Sequence, residues 1–175
     1  MEYACMLRIL TGIITGLVIT SLTYANTFTL TSTVFSDNGK IPAKYTCNGI
    51  NTPPTLTWMN PPTNTQSFAL IIYDPDAGIG QPFYNWVIYN IPKKVNSLLE
   101  LADLPDGALI GNNTYGEPKY SGPCPVDSRI HHYIFMLYAL DTTLDLPDEP
   151  DLDEVLSELE AHDIATAKLT GSYSH

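Results

Sequence analysis

The sequence predicts a mostly β domain, and three observations carry that prediction. Fourteen prolines and eleven tyrosines suit turns and pleated, half-buried strands better than long helices. Runs of aromatic and β-branched residues recur between clusters of Gly, Pro and Asn. One segment, beginning near Asp151, repeats its apolar residues at helical spacing. With 175 residues there is enough chain for one domain with a sizeable core, and 44% apolar content excludes general disorder.

The first 25 residues read separately from the rest. Met1 to Arg8 carries one basic side chain, Ile9 to Thr20 is an apolar run, and Ser21 to Ala25 supplies small residues where a signal peptidase reads. Residues 1–25 are therefore expected to be a secretory signal, leaving a domain at 26–175 in the periplasm or outside the cell. The apolar run is too short to span a bilayer, so no stable membrane span is expected after cleavage. Cleavage leaves two cysteines, Cys47 and Cys124, which could either bridge or fill separate apolar holes. The net charge of −11 opposes nucleic acid and anionic membrane surfaces, though not a small anion in a locally positive pocket.

In chain order, Phe28 to Phe35 is expected as a first strand, closed by the turn Ser36-Asp37-Asn38-Gly39. Ile41 to Cys47 reads as a short extended piece, and Leu56-Thr57-Trp58 as an alternating strand. Ser67 to Tyr73 is continuously apolar, as for a strand covered on both faces. A second apolar strand runs from Phe83 to Ile91 and stops at Pro92. Residues 93–119 read as connecting structure. The aromatic and branched run after Ile130 predicts a long buried strand ending near Asp141. Leu152, Val155, Leu156 and Leu159 define the helix, and Leu169 to Tyr173 a short terminal strand.

Candidate chemistry gathers at the strand ends. The loop Tyr120-Ser121-Gly122-Pro123-Cys124-Pro125 is stiffened by its prolines and leads to His131, His132 and Tyr133. Strand alternation puts His131 and Tyr133 on one face and His132 on the other. Asp74-Pro75-Asp76 ends the first apolar strand, as a plain turn or as two acids delivered to a site. Asn85 beside Trp86 is a buried amide that must be hydrogen-bonded or cost about 1–3 kcal/mol.

Taken together, Tyr45 to Leu56, Asp74-Pro75-Asp76-Ala77, Trp86 to Pro92, Tyr120 to Pro125, His131-His132-Tyr133-Ile134-Phe135 and His162 to Tyr173 resemble the phosphatidylethanolamine-binding protein family, in its bacterial Raf-kinase-inhibitor-like branch. The resemblance implies a sandwich-like core of antiparallel sheets with flanking helices and a small anion pocket at one end. By position it implies Asp74, Asp76, Asn85, Gly122, Pro123, His131 and Tyr133 as ligand-binding residues. Asn85 stands where the family commonly has a histidine. It can donate a hydrogen bond but carries no charge, which predicts weaker and less pH-dependent anion binding. Gly78, Val126 and Ser128 also depart from the family pattern.

The expected function is thus a binding protein for phosphate, phosphoethanolamine or a related headgroup, with no cofactor. A regulator resembling kinase or protease inhibitors is implied only by the family. The alternative is a hydrolase using His131 with Asp74 or Asp76, or with Cys124 as nucleophile. Against it, the chain has no Gly-x-Ser-x-Gly elbow, no His-Glu-x-x-His and no phosphate-cradling glycine loop. A metal held by Asp74, Asp76 and His131 would be bound loosely.

Overall fold

The structure, a computed structural model, describes residues 26–78, 80–147 and 150–175. The signal segment expected at 1–25 lies outside the described residues. Strand β1 is Thr29–Ser32, β2 Gly39–Lys40, β3 Leu56–Met59, β4 Ser67–Asp74 and β5 Phe83–Pro92. Two short strands follow, β6 Ser97–Leu98 and β7 Leu109–Gly111, then β8 His131–Leu140. Helix α1 spans Leu152–His162 and runs into β9, Asp163–Tyr173. The fold is mostly β, with one α-helix among the described residues.

The strands form two sheets. A small sheet has the order β1-β3-β6, and a large one the order β2-β9-β8-β4-β5-β7. The β2–β9 pair is parallel, so the sheets are not antiparallel throughout. The continuous apolar run of β4 is explained by burial on both faces. Phe68, Leu70 and Ile72 pack with Leu30, Leu56 and Trp58 of the small sheet. Ala69 and Ile71 face the other way, toward Val155 and Leu159 of α1. Asp151 caps the helix by accepting from the Glu154 N–H while Glu154 accepts from the Asp151 N–H. These two layers cover the large sheet on both faces, and the ends of β4, β5 and β8 meet at one rim.

Three elements differ from the sequence reading. Ala43–Tyr45 is a 3-10 turn rather than extended chain, with Thr46 Oγ1 donating to the Ala43 carbonyl. Residues 93–119 contribute β6 and β7, each too short for a periodic signal. The terminal strand begins at Asp163, six residues before the predicted start, with exposed Asp163 and Lys168 breaking its apolar run.

Candidate functional site

At that rim His131 is the first residue of β8 and is 1% exposed. Its Nδ1 lies 2.7 Å from Asp74 Oδ2, while Asp74 Oδ1 accepts from the Asp76 N–H at 2.7 Å. The carboxylate therefore accepts from Nδ1–H, and Nε2 is the atom the imidazole offers elsewhere. Nε2 is buried and makes no well-aligned hydrogen bond; Asp127 Oδ1 stands off-line at 3.3 Å. Tyr133, one strand repeat further on, is 1% exposed. Burial, and then the Asp74 carboxylate, push its phenol far above the ordinary range, so it stays protonated.

Asn85 reaches the same space from β5 by a local irregularity. Ile72 pairs with Trp86 and Tyr73 pairs with Tyr84, leaving Asn85 as the extra residue of a β-bulge. Its backbone carbonyl accepts from the Ser121 N–H at 2.9 Å, and its Nδ2 donates to the Ser121 carbonyl at 2.8 Å. The amide orientation is thereby fixed, since turning it over would set two carbonyl oxygens against each other. Oδ1 remains buried without a partner. The donor expected of Asn85 is thus already spent on Ser121, and an acceptor is left.

The wall opposite is the 120–125 loop, clamped to residues 45–51. The Tyr120 hydroxyl donates to the Tyr45 carbonyl at 2.7 Å, and its ring meets Trp86 edge-on at 5.5 Å. Gly122 donates to Asn51 Oδ1 at 2.8 Å, and the Cys47 N–H donates to the Pro123 carbonyl at 3.1 Å. Cys47 and Cys124 are joined as a disulfide across 77 positions, worth about 4.5 kcal/mol in the chain-entropy treatment. Glycine is required at 122 by close approach: an added Cβ would come 2.5 Å from the Tyr45 carbonyl oxygen and from Asn51 Oδ1.

Together these elements enclose a cavity of about 260 Å³. Asp74, Asn85, His131 and Tyr133 form its polar floor; Ala77, Phe83, Tyr115, Pro125 and Val126 form an apolar rim. Phe83 and Tyr115 meet edge-on at 4.9 Å, and Val126 is 94% exposed at the edge. Gly122 also lines the cavity, but Asp76 and Pro123 do not. Asp76 Oδ2 instead accepts from the His132 N–H and contacts His132 Nδ1, each at 2.9 Å. These two bonds hold the Asp76 carboxyl below its ordinary range. So Asp76 neither orients His131 nor joins Asp74 in a metal-binding set. Cys124 cannot act as a nucleophile while its sulfur is in the disulfide.

One contributor is absent from the sequence reading. Asp127 stands four residues before His131 and reaches back to Nε2. Its carboxyl is held below its ordinary range, first by the Arg129 N–H and then by the Arg129 guanidinium. The signal available was the Asp-x-Arg spacing, which lets an aspartate fold onto the backbone two residues on.

A sheet covered on both faces, whose strand ends bring an imidazole, a phenol and an amide into one small, part-polar cavity, has the architecture of a binding β domain. The comparisons give that class its family. The family model for phosphatidylethanolamine-binding protein matches residues 31–174, and the chain belongs to that family. A UPF0098 protein of Methanothermobacter thermautotrophicus is 45% identical over 143 residues, covering 79% of this chain and 93% of the relative. The crystal structure of Escherichia coli YbcL, described as a member of the mammalian PEBP family, aligns with a TM-score of 0.80 at 34% identity, over 85% of this chain and 98% of YbcL. A phosphatidylethanolamine-binding protein homolog of Chlamydia trachomatis aligns with a TM-score of 0.77 at 37% identity, over 86% of this chain and 99% of the homolog.

Proposed function

We propose that this protein binds a small anion, free phosphate or a phosphorylated headgroup, in the cavity between β4, β5, β8 and the 120–125 loop, and does so without turnover. One observation carries the reading: His131, fixed through Nδ1 by buried Asp74, lines a cavity of about 260 Å³ and keeps a buried Nε2 without a well-aligned hydrogen bond. A buried polar atom without a partner is costly, and a ligand oxygen hydrogen-bonded to Nε2 relieves that cost. The apolar rim suits the organic part of a headgroup. We place the protein in the periplasm or outside the cell; the reading of residues 1–25 as a secretory leader supports this, as does a disulfide, which persists in oxidising compartments. In titration calorimetry with phosphoethanolamine, His131→Ala is expected to abolish binding. Unchanged binding would remove His131 from the site and with it this reading. A phosphoester panel hydrolysed by the wild type but not by His131→Ala would replace binding with catalysis.

A further inference from the structure

The cavity floor has an unusual hydrogen-bonding balance for an anion site. Fully deprotonated oxyanions present only acceptors and ask for donors. Asn85 Oδ1 is an acceptor, 2% exposed in its residue, and cannot become a donor while Nδ2 is tied to the Ser121 carbonyl. The backbone N–H of Gly122 is committed to Asn51, and Asp127 places a carboxylate beside His131 Nε2. An oxyanion seated here without a proton would lay its lone pairs against Asn85 Oδ1. One that keeps a hydroxyl can donate to Asn85 while another of its oxygens pairs with His131 Nε2.

We propose that the cavity selects oxyanions that still carry a proton on oxygen, namely phosphate and its monoesters, and disfavours sulfate and phosphodiesters, with Asn85 reading the proton. This rests on the anion-binding reading above and narrows its ligand. Intact phospholipids with an esterified headgroup, phosphatidylethanolamine among them, are diesters without a P–OH at that phosphate, so the favoured guests are free phosphate or a headgroup released from its glycerol.

The bulge supports the assignment independently of the charge balance. Without the extra residue in β5, position 85 would alternate with Trp86 and face the opposite side of the sheet. With it, Asn85 and His131 share one cavity although β4 lies between their strands.

Calorimetry near pH 6, where about half of a phosphomonoester population retains its second proton, tests this directly. The probes are inorganic phosphate, phosphoethanolamine, glycerophosphoethanolamine and sulfate. Phosphate and phosphoethanolamine are expected to bind at least about tenfold tighter than sulfate and glycerophosphoethanolamine. Tighter binding of phosphoethanolamine than of phosphate identifies a headgroup as the preferred source; the reverse identifies free phosphate. In Asn85→Ala, checked for folding by its thermal transition, the preference for phosphate over sulfate should fall below about threefold. If the wild type binds sulfate or the diester as well as the monoester, the proton-reading inference is overturned and the anion-binding reading stands. If none of the four binds, both fall. The wild-type comparison decides the matter even where Asn85→Ala does not fold.

Discussion

The Asp74–His131 pair is the feature of the site whose energetic weight can be read most directly. Removing the Asp74 carboxylate deletes two acceptors, one for His131 Nδ1 and one for the Asp76 N–H, each at 2.7 Å. The first loss leaves a buried polar atom without a partner, at about 1–3 kcal/mol, and the second costs about 1 kcal/mol nearer the surface. Asp74→Ala should therefore lose about 3 kcal/mol of stability, or roughly 6–12 °C in melting temperature for a domain of this size. The sharper measurement is a double-mutant cycle with His131→Ala, read by urea denaturation. If the two groups act as a unit, their coupling is about 1.5–3 kcal/mol, because the hydrogen bond runs to a charged acceptor. Losses that add within about 0.5 kcal/mol would refute the argument, since independent sites behave that way. Asp74→Asn should lose less than Asp74→Ala, because the amide oxygen can still accept from Asp76.

Two further outcomes follow from the surroundings of the cavity. Gly122→Ala forces a Cβ to within 2.5 Å of the Tyr45 carbonyl oxygen, so the loop must shift; about 1–3 kcal/mol should be lost in a denaturant melt, together with weaker phosphoethanolamine binding. Asp76, whose folded carboxyl titrates below its unfolded value, contributes stability at pH values above the ordinary aspartate range and loses it as pH falls through the lowered folded value. The stability gap between wild type and Asp76→Asn should accordingly be larger at pH 7 than at pH 2 in paired urea melts, and an equal gap would show that the His132 contacts contribute nothing.

Much of the fold was legible because it rests on strong local patterns. β4 and β8 are long aromatic or branched runs, and the helix carries both periodicity and a capping acid at Asp151. The alternation of His131, His132 and Tyr133 likewise placed one histidine in the cavity floor and the other at the surface, where it is matched with Asp76. What stayed hidden depends on non-local pairing. Nothing local marks Asn85 as a bulged residue, because a bulge exists only relative to the partner strand. The first half of β9 is masked by its own charged residues, which are tolerated because that end of the sheet is exposed. The 3-10 turn at Ala43–Tyr45 follows a proline that equally suits extended chain. Asp127 escaped notice because its link to His131 depends on how the loop doubles back.

The position of β9 has a consequence for when the domain can form. Gly39 pairs with Gly171 and His131 with Tyr173, so among the described residues the segment from 163 to 173 alone bridges β2 and β8 in the large sheet. A growing chain that has emitted β1 through β8 still presents β8 with an open edge, which is an invitation to pair with other chains. Contacts of such long sequence span also close slowly. The large sheet is therefore completed only after its β9 segment becomes available. Truncation within residues 163–173 is accordingly more damaging than its distance from the cavity suggests.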